Sequence, residues 1–160
     1  MTCDVRLGRV VGLPAVCGDR LVGHVERAVL EEDGRQLRGL ILRRGLGGAR
    51  WAAREEIGLL GDVSVILKTR PGRPPRSTDF TLRAVKDESG LTLGRVTDVF
   101  VSPDTLAVTA LEVSLGLVEE LLRGRQLIRR WAIRPGDQDG PQVLIPRDAW
   151  EETAQGGETT

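Results

Sequence analysis

Apolar and polar positions alternate in the same way over two stretches of the chain. Residues 21–42 read LVGHVERAVLEEDGRQLRGLIL, and residues 92–113 read TLGRVTDVFVSPDTLAVTALEV. They align without a gap at an offset of 71 residues, Gly23 falling on Gly94, Val25 on Val96, Asp33 on Asp104 and Leu40 on Leu111. In each copy a glycine precedes a run of period near two, Val25-x-x-Ala28-x-Leu30 and Val96-x-x-Val99-x-Val101. That period predicts a strand with one buried face. The runs end at Glu32-Asp33-Gly34 and at Ser102-Pro103-Asp104-Thr105, residues that preset or tolerate turn dihedrals. A second alternating run follows each turn, Leu37-x-x-Leu40-x-Leu42 and Val108-x-x-Leu111-x-Val113, so each copy predicts a β-hairpin. Gly23 and Gly94 mark either a bulge and close backbone approach or simply a permissive turn.

The flanking pattern extends the repeat. Arg9–Val16 predicts an opening strand, with Leu13-Pro14 suited to an edge or bend. After the first hairpin, Arg43–Gly48 is a loop, Ala49–Ala53 a fourth strand, Arg54–Ile57 a helical turn and Asp62–Leu67 a closing strand. Residues 68–79, KTRPGRPPRSTD, resist helix and ladder alike and form a basic Pro-rich linker. Phe80–Val85 opens the second unit. Gly116–Arg125 places Leu117, Val118, Leu121 and Leu122 on one face of an inserted helix, stopped at Gly124. Leu127–Ile133 then aligns with Trp51–Ile57 at an offset of 76, and Gln142–Ile145 closes the unit. The expected architecture is mostly β: two tandem small barrels over residues 5–67 and 80–150, with a short inserted helix in the second and a disordered tail over 151–160.

Composition narrows the function classes. The 160 residues carry 23 basic and 23 acidic side chains, so net charge names no polyanionic partner. Residues 1–76 hold 14 basic and 9 acidic residues, and residues 77–160 hold 9 and 14. Lys68 and Lys86 are the only lysines; the other cations are arginines, which favour bidentate contacts to carboxylate or phosphate. No apolar run approaches the roughly 20 residues of a membrane helix. The N-terminus shows no secretory pattern, which makes the cytoplasm the expected location. Cys3, Cys17 and His24 are too few and too loosely spaced for a four-ligand zinc set, and no disulfide is expected in a reducing compartment.

Catalytic patterns are sparse. The single histidine, His24, falls on the polar face of its strand, opposite in phase to Val25. The sequence contains no Gly-x-Ser-x-Gly elbow, His-Glu-x-x-His or phosphate-binding P-loop. Gly45–Arg50 resembles a dinucleotide loop only in its glycines, and a strand connection accounts for them. Glu55-Glu56 and Glu119-Glu120 are adjacent pairs whose side chains diverge on a helix, as solvated charges do. The arginines are the more informative set. Arg43, Arg44 and Arg50 flank the glycine loop, Lys68, Arg70, Arg73 and Arg76 lie in the linker, and Arg123, Arg125, Arg129 and Arg130 follow the inserted helix. Such groups suit RNA phosphates or an acidic protein surface. The two phenylalanines and three tryptophans supply no interleaved set for stacking bases. Trp51, Trp131 and Trp150 suit barrel ends, and Trp131 beside Arg129-Arg130 has the composition of an interface anchor.

The strand before Gly23, then Val25 and Ala28, a turn, Leu37-x-x-Leu40-x-Leu42 and a closing strand led by Gly61-Asp62 resemble a PRC-barrel domain. Gly94, Val96, Asp98, Val99, Val108, Leu111 and Val113 carry the same resemblance in the second half. The pattern is similar to the barrel of the photosynthetic reaction-centre H subunit and to the C-terminal domain of the ribosome maturation factor RimM. The second half, with GLVEELLRGRQLI, also resembles stand-alone PRC-barrel proteins of spore-forming bacteria. The resemblance spans nearly all of the chain except linker and tail. No N-terminal domain like that of RimM and no membrane helix like that of the H subunit is expected here. The resemblance implies a non-catalytic bacterial adaptor, without cofactor or metal, that docks on a protein or ribonucleoprotein. A ribosome-maturation or RNA-associated factor using an arginine-rich surface is the alternative, and a small-ligand or metal-binding barrel a second; direct RNA contact and homodimerisation are open to the chain. Arg43, Arg44, Arg50, Arg123, Arg125, Arg129, Arg130 and Trp131 are the expected partner-binding residues.

Overall fold

A computed structural model describes residues 3–78, 82, 84–116, 124–134 and 140–149. The chain is mostly β, with two barrel-like units. One unit comprises residues 1–80 and 100–108, and the other residues 81–99 and 109–160. The inserted helix expected over Gly116–Arg125, Trp150 and the tail lie largely or wholly outside the described residues.

In the first unit a short strand β1 (Val5–Arg6) leads into a helical turn α1 (Leu7–Val10). The opening strand expected from Arg9 therefore begins later, as β2 (Pro14–Cys17). Gly12, at φ +90°, ends the turn and donates its N–H to Val25 O at 2.7 Å, which leaves Val10 buried and Val11 exposed. β3 (Arg20–Leu30) and β4 (Leu37–Arg43) form the expected hairpin, followed by β5 (Arg50–Ala53), a 3-10 turn (Arg54–Glu56), β6 (Ile57–Leu60) and β7 (Val65–Leu67). The sheet runs β5-β4-β3-β2-β7-β6, with β2 and β7 parallel and the other pairs antiparallel. β6 was not anticipated, because Ile57-Gly58-Leu59-Leu60 has no alternation: both ends are buried and the middle exposed.

The segment read as a linker lies along this unit. Gly72 and Trp51 exchange backbone hydrogen bonds of 2.9 Å in both directions, giving β5 a partner on its otherwise open edge. Arg38 donates to Ser77 O and Arg27 to Thr78 Oγ1. Residues 100–108 also belong to this unit. Val5 pairs with Val101, Leu37 N–H donates to Leu106 O, and Val108 N–H donates to Arg35 O. Leu106 is buried despite φ of +59°, a conformation that L-residues seldom adopt.

The second unit is built on a sheet of β8 (Ala84–Lys86), β9 (Thr92–Val101), β10 (Val108–Ser114), β11 (Gln126–Ile128), β12 (Ala132–Arg134) and β13 (Gln142–Leu144), of which Phe100, Val101 and Val108 fall in the first. Its strand order, β11-β10-β9-β8-β13-β12, repeats that of the first with each strand in the corresponding place. The registers repeat as well. Leu40 opposes Ala52, and Leu111 opposes Ile128; Leu42 opposes Arg50, and Val113 opposes Gln126. The offsets of 71 and 76 are thus reproduced in the ladders. Only after β11 does the alignment slip. Ile133 opposes Val143 as Leu60, not Ile57, opposes Val65. The second unit is three residues shorter there, where the first has its 3-10 turn.

The two glycines explain the shared curl. Gly23 sits opposite Ala15, and Val22 is the extra residue of a bulge; Gly94 sits opposite Val85, and Leu93 is the extra residue. A Cβ on Gly23 would meet Arg43 O at 3.0 Å, and one on Gly94 would meet Ser114 O at 2.1 Å. Bulge and close approach both hold, in both copies. The cores are built on the same positions: Ala15, Leu40, Leu42, Ala52 and Val65 in one, Val85, Leu111, Val113, Ile128 and Val143 in the other, all fully buried. Each larger aliphatic side chain among these contributes about 1.5–3 kcal/mol by leaving water.

Gly94→Ala forces a methyl into a backbone carbonyl that the ladder cannot move aside. It is expected to destabilise the second unit by about 1–3 kcal/mol. Gly48→Ala, whose Cβ meets nothing within 4 Å, is expected to be near neutral. Amide hydrogen exchange on β9 and β10 in the two variants is the measurement; equal protection would contradict the close-approach role.

Candidate partner-binding surface

The expected binding residues fall into two groups, one in each unit. In the first, Arg43 ends β4, Arg44 begins the β4–β5 loop and Arg50 begins β5; all three are exposed. Antiparallel pairing sends β3 back along β2 and β5 back along β4. The β2–β3 turn and the β4–β5 loop therefore come out at the same end of the sheet. β7 runs parallel to β2, so the segment after Leu67 leaves there too. A groove of about 730 Å³ opens at that end, lined by Asp19 and Arg20 from the turn, Arg44 and Arg50 from the loop, and Arg70 beyond β7. Leu21, Val22 and Pro71 supply its apolar wall.

Four arginines thus line one groove with a single acidic residue. Arg20, Arg44, Arg50 and Arg70 make no ion pair among the described residues. Arg43 points elsewhere: its Nη2 donates to Glu26 Oε1 at 3.0 Å. Arg44 and Arg50 are neighbours of one loop in the sequence, whereas Arg20 lies outside the expected set and Arg70 in the expected linker. The signal for Arg20 was available, since a meander puts alternate turns at one end. That for Arg70 was not, because it depends on Gly72 bonding to Trp51.

Three of these arginines have no counterpart at the aligned positions of the second copy. The positions of Arg20, Arg44 and Arg50 are occupied there by Leu91, Leu115 and Gln126. The turn also differs. Gly18, at φ +63°, makes the tight turn in the first unit. In the second, Asp87 Oδ1 accepts from Ser89 N and Oγ and from Leu91 N, and these bonds, the Ser89 hydroxyl foremost, lower the Asp87 pKa.

In the second unit Arg125 is half-exposed, and its Nη1 donates to Glu112 Oε1 at 3.1 Å. Glu112 is only 4% exposed and also accepts from Thr97 Oγ1 at 2.8 Å. It occupies the position of the buried Ile41, so Arg125 serves a carboxylate inside the fold. Arg130 donates to Asp148 Oδ2 at 2.9 Å on the surface. That hydrogen bond is the main cause that holds the Asp148 carboxyl below the ordinary aspartate range. Arg129 is exposed. Trp131, anticipated as an anchor, is 5% exposed and belongs to the core of this unit. Arg123 lies outside the described residues.

The other candidates are placed plainly. His24 is exposed on β3, as its phase required. Glu55 pairs loosely with Arg54, whereas Glu56 Oε2 accepts from Ala53 N–H at 2.9 Å and caps the 3-10 turn. Cys3 and Cys17 are thiols, the first exposed and the second half-buried. No cluster of three or more His, Cys, Asp or Glu side chains suited to a metal occurs among the described residues. No described helix is long and apolar enough to cross a membrane. No protein-family model matches the chain, and no curated protein is similar to it in sequence.

Two outcomes follow for the second unit. Asp148, its folded-state pKa lowered, contributes stability that is present above about pH 3.9 and is lost as the pH falls through the lowered value. Arg130→Ala is expected to raise the Asp148 pKa, read by NMR titration, toward the ordinary aspartate range; an unchanged value would separate the two groups. Arg125→Ala leaves Glu112 short of a cation and is expected to destabilise the unit by about 1–3 kcal/mol. Glu112→Ile, which installs the first copy's residue, is expected to be neutral or stabilising in chemical denaturation.

Proposed function

We propose that this chain is a non-catalytic adaptor of the PRC-barrel type that docks in the bacterial cytoplasm on a protein or ribonucleoprotein. The observation that carries this reading is the contrast between the copies. Strand order, bulges and buried positions are held in common, while Arg20, Arg44 and Arg50 of the first copy have no arginine at the aligned positions of the second. Folding does not ask for those charges, because the second copy keeps the same ladders with Leu91, Leu115 and Gln126. Exposed arginines without carboxylate partners among the described residues are poised to form intermolecular contacts, where arginine is enriched among the residues that dominate affinity. The strand order and the repeated glycine bulge support the PRC-barrel assignment.

The test is affinity capture from a bacterial lysate with the full chain, beside Arg44→Ala/Arg50→Ala and Arg129→Ala/Arg130→Ala. Loss of the groove arginines is expected to lower partner recovery at least about fivefold, while the second pair has a smaller effect. Equal recovery of the same partners by all three proteins would overturn the choice of surface.

A further inference from the structure

We propose that the groove at the end of the first unit is a phosphate site that takes the backbone of a nucleic-acid strand without reading its sequence. This rests on the docking surface named above and assigns its chemistry. Arg20, Arg44, Arg50 and Arg70 against Asp19 leave an excess of three positive charges around one groove. Like charges held at one rim repel until a polyanion enters, so the arrangement is most favourable when occupied. All four cations are arginines, whose planar forks meet two phosphate oxygens at once.

The lining separates a strand backbone from other anions. No aromatic side chain among the described residues lines the groove, so a base has no platform there on which to stack. That disfavours a mononucleotide, whose recognition needs base contacts. An acidic peptide carries its charges on mobile side chains, each of which loses rotamer freedom on binding. A nucleic-acid strand presents its charges at a fixed repeat along its backbone. Gly48 on the rim points the same way. Its Cβ would meet nothing within 4 Å and its φ is not one reserved for glycine, so neither packing nor dihedral calls for glycine there. Its absent side chain keeps the rim low where a backbone would lie across it.

Fluorescence anisotropy with labelled 12-nucleotide RNA and DNA strands of mixed sequence tests this on the full chain. Binding is expected at 50 mM salt, within about threefold across sequences. Its affinity should fall with a log–log salt slope of about −2 to −3, as three or four phosphate contacts on a single strand require. Arg44→Gln/Arg50→Gln, which alters exposed side chains only, is expected to retain the wild-type melting temperature, weaken binding at least tenfold and reduce the slope by about 1.4. No binding at 100 µM protein, or equal binding by the double variant, would overturn the site. Tighter competition by polyglutamate than by an unlabelled strand would assign the groove to an acidic protein, and tighter competition by inorganic polyphosphate would assign it to that polymer; either overturns the nucleic-acid proposal. Partner capture that survives nuclease and still needs Arg44 and Arg50, with no strand bound, would leave the adaptor reading intact while this proposal fails. Strand binding by a protein whose captured partners ignore both arginines would do the reverse.

Discussion

A close backbone approach at the same place in each unit is the constraint on which the rest depends. Gly23 lies under the carbonyl of Arg43, and Gly94 under that of Ser114, each one step from an extra residue in a long strand. A bulge raises the local twist and bends the strand that bears it. Here the bend falls within the pairing of the long strand with the short opening strand. Without a side chain at the glycine, the two strands of the hairpin close onto each other and the sheet curls. That curl brings both members of each buried set, such as Leu40 with Ala52 or Leu111 with Ile128, onto one inner face.

Within that frame the copies have diverged by exchange of volume and of charge. Gly39 admits the ring of Trp51, whose atoms would lie 2.5 Å from a Cβ at that position, and Arg38 sits over the same ring at 5.8 Å. At the matching places the second unit has Ala110 and Leu127, a larger residue facing a smaller one. Ala15 and Ala52 are likewise replaced by Val85 and Ile128. Such exchanges keep the packing density that a core needs. The substitution of Glu112 for Ile41 is of another kind, since a buried carboxylate holds its place only with donors such as Thr97 and Arg125. The arginine at 125 is therefore committed to the fold, whereas those at 20, 44, 50 and 70 are not.

A sheet built from meanders distributes its turns between two ends, and this organises the surface chemistry. Arg20 and Arg44 are distant in sequence yet belong to turns on the same end, and Arg50 returns from that end into β5. Arg70 joins them because the chain after β7 crosses to the open edge of β5 at Gly72. The same crossing covers an edge that would otherwise present unpaired amides and carbonyls. Edge protection and charge placement thus come from one segment.

The alternation of apolar residues determined the two hairpins, their offset and the face each buries, because period-two patterning is a local property of the strand. The glycines and turn residues determined where the strands bend and reverse, because dihedral freedom is local too. Phase errors came where locality ends: β6 has no alternation, α1 replaces the start of a strand once Gly12 N–H finds Val25 O, and the second copy drops three residues after β11. Among the candidate residues, Arg44 and Arg50 were legible as neighbours of one loop. Arg125, Arg130 and Trp131 were not legible as members of the fold, because their partners Glu112 and Asp148 and the core around Trp131 lie elsewhere in sequence. Tertiary structure alone decided that residues 68–78 cover an edge and that residues 100–108 belong with the first unit. Those placements rest on backbone hydrogen bonds, which any sequence can offer and only a folded neighbour can accept.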